Sequence, residues 1–92
     1  MTEEMRGKTV LVMGIVNRWS LAYAIAQALA SSGARLVLSY QGERVQRRVE
    51  ELGQELGAAR VYPCDVAQDD SIAALFSRLQ ADEPRLDGVV HS

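Results

Sequence analysis

The chain has 92 residues and a formal net charge of −2 at pH 7. That length allows one domain, and the charge suggests neither a nucleic-acid partner nor a basic membrane patch. One cysteine, Cys64, and one histidine, His91, exclude an internal disulfide and a tetrahedral Cys/His metal centre.

The opening Met-Thr-Glu-Glu-Met is acidic and lacks the basic head and apolar middle of a signal peptide. No apolar run approaches the ~20 residues that span a bilayer, so a cytoplasmic location is expected. Residues 9–13 are a continuous apolar strand, suited to a parallel sheet covered on both faces. Gly14 ends the run, and Ser20 starts a helix rich in small residues. Strand, glycine turn and helix together place backbone N–H groups and a helix N-terminus around a phosphate. Ser20 suits both capping that helix and donating to a phosphate oxygen. The common G-x-G-x-x-G pattern is absent, because Gly14 is the one glycine of the stretch. A plain buried strand feeding a plain helix reads the same residues without a ligand.

The helix is expected over residues 21–31, with Leu21, Ile25 and Leu29 on one face and Gly33 closing it. A second strand is expected at 36–39 and a second helix at 43–56, with Val45, Val49, Leu52 and Leu56 as the buried stripe. Arg44, Arg47, Arg48, Glu51 and Glu55 read as its solvated face. Gly53 reads as a slight weakness of that helix, and Gly57 as its end. A third strand at 60–64 contains Pro63, which places it at a sheet edge where no ladder N–H is needed. Asp69 or Asp70 is expected to cap a third helix over 71–80, buried through Ile72, Leu75, Phe76 and Leu79. Asp87-Gly88 reads as a turn before a fourth strand at 89–91.

This alternation implies a Rossmann-like α/β fold: a parallel sheet with helices on both faces, in strand order 3-2-1-4. The reversal between strands one and four opens a ligand crevice beside Gly14 and His91-Ser92.

Four stretches, in order and spacing, carry a family resemblance: Gly14-x5-Ser20-x-Ala22, Tyr40-Gln41, Cys64-Asp65-Val66 and Asp87 to Ser92. Together they resemble the bacterial enoyl-acyl-carrier-protein reductases of type II fatty-acid synthesis, a divergent branch of the short-chain dehydrogenases. Where ordinary members of that superfamily carry two further glycines, this chain has Arg18 and Ser20. The resemblance implies NADH as cofactor. It implies that Gly14 admits the adenosine–phosphate portion, and that Ser20 and the Leu21 N–H hold the pyrophosphate. Gln41 would meet the adenosine ribose, Asp65 and the Val66 backbone the adenine, and Ser92 the nicotinamide-side ribose. Asp65 equally suits a turn cap, and Gln41 an exposed loop. Cys64 reads as a small buried hydrophobe, and His91 as a strand residue rather than a base. Trp19 either covers the phosphate turn or packs beside it.

The family further implies an enoyl substrate linked to acyl carrier protein, a homo-tetramer, and a catalytic tyrosine followed seven residues on by a lysine. Tyr23, Tyr40 and Tyr62 are followed at that distance by Ala30, Arg47 and Asp69, and the one lysine, Lys8, precedes all three. No catalytic residue is therefore assigned and no metal site is expected. Residues 1–92 are expected to be the N-terminal portion of one NAD-binding domain, ending after the fourth strand, with the substrate site in an absent remainder. Alone, they are expected to be inactive and prone to associate. The alternatives are another short-chain dehydrogenase, disfavoured by Arg18 and Ser20, and a non-catalytic nucleotide-binding module.

Overall fold

A computed structural model describes residues 4–83 and 85–92. Seven elements alternate along the chain: β1 (Thr9–Met13), α1 (Leu21–Ser31), β2 (Arg35–Tyr40), α2 (Glu43–Leu56), β3 (Arg60–Pro63), α3 (Asp69–Asp82) and β4 (Gly88–His91). All strand pairs are parallel and the order is β3-β2-β1-β4. Pro63 lies opposite Tyr40 at the end of the edge strand, where its missing N–H breaks no ladder bond.

Side chains alternate across the strands, and each face has its own cover. Val10, Val12, Leu36, Leu38 and Tyr40 pack against Ala22, Tyr23 and Ala26 of α1 and Val49 and Leu52 of α2. Leu11, Met13, Val37, Tyr62 and Cys64 pack against Leu75 and Leu79 of α3. Cys64 is thus the buried small hydrophobe that its apolar neighbours imply.

The face of α1 differs from the one drawn by its leucines. Leu21 is 66% exposed, while Ala22, Tyr23 and Ala26 are buried. Alanines at i and i+4 let the helix axis approach the sheet, and the larger Ile25 and Leu29 fall to the side. Gly53 likewise is a packing residue. A Cβ there would stand 2.9 Å from Val61 Cγ2, so its lack of a side chain lets α2 lie against β3. On α3, Phe76 is 39% exposed although Leu79 is buried. That helix covers the sheet's β1-to-β3 side and leaves the same face of β4 open, where Val89 is 49% exposed.

Boundaries move for local reasons. β2 extends to Arg35 and Tyr40 because each still pairs with a neighbouring strand. α3 starts at Asp69, two residues earlier than the apolar stripe suggests, and its cap is Gln68 without a side-chain bond. Asp69 and Asp70 occupy the first turn instead, where their charges suit the helix dipole. Gly88 is in the strand, and Asp87 continues the ladder. Its N–H donates to the Thr9 carbonyl at 2.8 Å, and its Oδ2 accepts the Thr9 N–H at 2.8 Å. Its Oδ1 accepts from Arg85 Nε at 2.6 Å. The donated backbone bond, then Arg85, hold the Asp87 carboxyl below the usual carboxylate range.

Candidate functional site

In a parallel sheet all strands end on the same side, so the residues that follow Met13, Tyr40, Pro63 and His91 form one rim. Gly14, Gln41, Asp65 and Ser92 all lie on it. Gly14 and Ser92 are in direct approach. Gly14 has φ +94°, and a Cβ on it would stand 2.2 Å from the Ser92 carbonyl oxygen. The glycine is needed here for the chain itself, since it lets the β1–α1 turn pass the end of β4.

The turn that follows is shaped by short-range bonds. The Ser20 hydroxyl donates to the Asn17 carbonyl at 2.8 Å, and its oxygen accepts the Tyr23 N–H at 3.2 Å. Ser20 is therefore the N-cap of α1. Asn17 Oδ1 accepts the Trp19 N–H at 2.8 Å. The first N–H groups of a helix lack intrahelical acceptors, so those beginning at Leu21 face the crevice end of α1 as donors. Trp19 is 87% exposed and neither packs on the turn nor covers it. Arg18 reaches from the turn to Glu55 on α2 and to the Tyr23 hydroxyl.

A second concavity, about 420 Å³, lies at the ends of β2 and β3. It is lined by Tyr40, Gly42, Glu43, Gln46, Cys64 and Asp65, with Pro63 and Ser71. Asp65 serves its own turn: Oδ1 accepts the Ala67 N–H at 2.9 Å, and the Asp65 N–H donates to Ser71 Oγ at 2.8 Å. Gln41 is exposed at the rim and Val66 is partly exposed beyond the cleft. The structure thus joins Gly14 to Ser92 and sets Asp65 in the cleft; Gln41 and Val66 follow β2 and β3 outside its lining, and Leu21 opens α1. His91 ends β4 and is exposed. Among the described residues, no group of three His, Cys, Asp or Glu side chains could hold a metal ion. None of the described helices is long and apolar enough to cross a membrane.

One cluster far from this rim has no sequence signal. Glu83, whose side chain is 2% exposed, accepts from Arg35 Nε at 2.6 Å and Arg60 Nε at 2.9 Å. It pins the end of α3 to the starts of β2 and β3. Beside it Tyr62 donates to Asp82, and Arg78 lies 4.7 Å from the Tyr62 ring centroid. Burial first, then Asp82, pushes the Tyr62 hydroxyl up to about 12.

A doubly wound parallel sheet of order 3-2-1-4, with a glycine turn and a capped helix N-terminus at its switch point, defines the dinucleotide-binding class of α/β folds. The family model for enoyl-(acyl carrier protein) reductase matches residues 14–92, and the chain belongs to that family. Its relatives include the enoyl-acyl-carrier-protein reductase (NADH) FabI of Salmonella typhimurium, 47% identical over 88 residues, which are 96% of this chain and 34% of the relative. The crystal structure of FabI from Candidatus Liberibacter asiaticus superposes with a TM-score of 0.95 at 38% identity, over 99% of this chain and 35% of that one. The enoyl-(acyl-carrier-protein) reductase of Anaplasma phagocytophilum, crystallised in complex with NAD, gives 0.92 at 35% identity, over 97% and 34%. The chain spans about a third of the length of the relatives it matches.

Proposed function

We propose that these 92 residues are the adenosine- and pyrophosphate-binding part of an NADH-dependent enoyl-acyl-carrier-protein reductase. The observation that carries the reading is the Gly14–Ser20 turn, which delivers the capped N-terminus of α1 to the crevice between β1 and β4. Its polar groups fit a dinucleotide: helix N–H groups for the pyrophosphate, joined by the Ser20 hydroxyl once it turns from the Asn17 carbonyl, with Gln41 and the accepting Asp65 carboxylate on the rim for ribose and adenine. The Val66 backbone and Ser92 complete the set at the adenine and nicotinamide-side ribose. When bound, the nicotinamide supplies hydride for an enoyl thioester carried on acyl carrier protein. The chain's own residues bind and orient the cofactor. None forms the tyrosine–lysine pair that the reduction uses, so the single domain is completed, and catalysis supplied, by residues outside these 92. A cytoplasmic homo-oligomer, tetrameric as in the family, follows from the same reading.

The position after the second strand supports NADH over NADPH. A 2′-phosphate is normally met there by cations. This chain places Gly42 and Glu43 in the cleft, and the first cation after β2 is Arg44. The full-length enzyme is expected to show a higher kcat/KM with NADH in an enoyl-thioester reduction assay, and residues 1–92 alone to show no turnover. Preference for NADPH, or activity in the 92 residues, overturns this reading.

Ser20→Ala separates phosphate binding from capping. In the full-length enzyme it should raise the Kd for NADH about fivefold or more, the scale of one hydrogen bond to a charged group. A lowered Tm with unchanged Kd would leave Ser20 as a cap only.

A further inference from the structure

We propose that Glu55 on α2, acting through Arg18, positions the turn that holds the cofactor's pyrophosphate; this rests on the reading of that turn given above. The bonds among Asn17, Trp19 and Ser20 are internal to the turn. They set its shape; Ile15, 1% exposed in the core, fixes where the turn starts, whereas Val16 and Trp19 are exposed and leave its outer part without such an anchor. Trp19, outermost in the turn, adds no packing, and a cleft of about 280 Å³ lies between the turn and α2, lined by Asn17, Arg18, Trp19, Arg48, Glu51 and Leu52. The Arg18 side chain crosses to the helix and ends on Glu55.

The same guanidinium donates to the Tyr23 hydroxyl at 3.4 Å. Tyr23 is buried against the sheet, and its backbone N–H is the one Ser20 caps. Arg18 therefore ties three things together: the turn, the first turn of α1 and the far end of α2. Glu55 neutralises Arg18 and fixes its direction, away from free swing over the rim. Both side chains are about half exposed, 53% and 47%. The pair therefore adds little to folding stability, and its effect is on where the donors sit. Glu55 is a positioning residue and touches no cofactor atom in this scheme.

The test is a double-mutant cycle in the full-length enzyme with Glu55→Gln, Arg18→Gln and the pair together, read by NADH titration, steady-state kinetics and Tm. Each single variant should raise the Kd and KM for NADH about two- to fivefold, the range of an exposed ion pair, with kcat unchanged. Tm should move by no more than about 2 °C. The double variant should be no worse than the weaker single one. An unchanged Kd in Glu55→Gln overturns the proposal, as do additive effects, which would make Arg18 a direct phosphate ligand independent of Glu55. Ser20→Ala, run in parallel, distinguishes the failures. If it weakens binding while Glu55→Gln does not, the positioning role alone is wrong. If it too leaves Kd unchanged, Ser20 is a cap only as well, and the positioning proposal falls on the Glu55→Gln result.

Discussion

Gly14→Ala should lower the stability of the full-length protein by about 3 kcal/mol or more. Two costs combine. A residue with a Cβ held at positive φ is strained by about 1–3 kcal/mol. The new Cβ would also stand 2.2 Å from the Ser92 carbonyl oxygen, a backbone atom just past the end of β4. Relief requires the end of β4 to separate from β1, and overpacking of this kind costs about 1–3 kcal/mol. For a chain of the relatives' size, 3 kcal/mol is a fall in Tm of roughly 6–12 °C. Gly57→Ala is the control. Gly57 ends α2 in the left-handed region at φ 71° and ψ 29°, with nothing within 4 Å of an added Cβ. It should cost about 1 kcal/mol, from strain alone. Equal losses at the two positions would show that the Ser92 approach is unimportant. NADH affinity should fall with Gly14→Ala and stay unchanged with Gly57→Ala.

Glu83 should make the fold acid-sensitive. Its hydrogen bonds from Arg35, then Arg60, outweigh burial and hold its carboxyl at about 2, below the ordinary 4.5. A carboxylate with a depressed folded pKa stabilises fully above its ordinary pKa, and the contribution is lost as pH falls toward the folded value. The window is thus from about pH 5 down to about pH 2. Glu83→Gln removes the charge at every pH. Arg35 and Arg60 are partly exposed and regain water, so the loss at pH 7 should be about 1–3 kcal/mol rather than the larger cost of a sealed ion pair. Denaturant melts of both proteins should differ at pH 7 and converge as pH is lowered through that window. A constant gap from pH 7 to pH 2.5 would show that Glu83 acts through packing alone. The Asp87 carboxyl, lowered by the Thr9 N–H and Arg85, shifts both curves the same way and cancels in the comparison.

Most of the architecture was legible locally. Unbroken apolar runs, helical stripes and glycine or aspartate punctuation give β1, α1 and α2 at their observed limits, and β3 and β4 to within a residue. Pro63 alone identifies the edge strand, because the missing N–H is a property of one residue. The rim was legible for the same reason: Gly14, Gln41 and Ser92 directly follow strands, Asp65 and Val66 lie within three residues of one, and Ser20 and Leu21 open a helix. Ser20 as the cap of α1 follows from its place before an apolar helix.

What only the tertiary structure decided are the contacts between distant positions. Whether α1 turns its leucines or its alanines to the sheet depends on how closely the helix can approach, and both stripes satisfy the 3.6-residue period. Gly53 reads as a weak point until β3 is laid beside it and Val61 fills the space a Cβ would take. Phe76 fits a buried stripe, yet α3 does not extend over the half of the sheet it faces. Glu83 meets arginines 48 and 23 positions away, and Arg18 meets Glu55 37 positions on. Charged pairs at such separations leave no periodic trace in a single sequence, because their spacing is set by the sheet's order and register rather than by any local repeat. The sequence by itself therefore determined the order of elements and the rim at the strand ends. The close passage of Gly14 by Ser92, the Glu83 clip and the Arg18–Glu55 tether on the β1–α1 turn exist only once the parallel strands are in register.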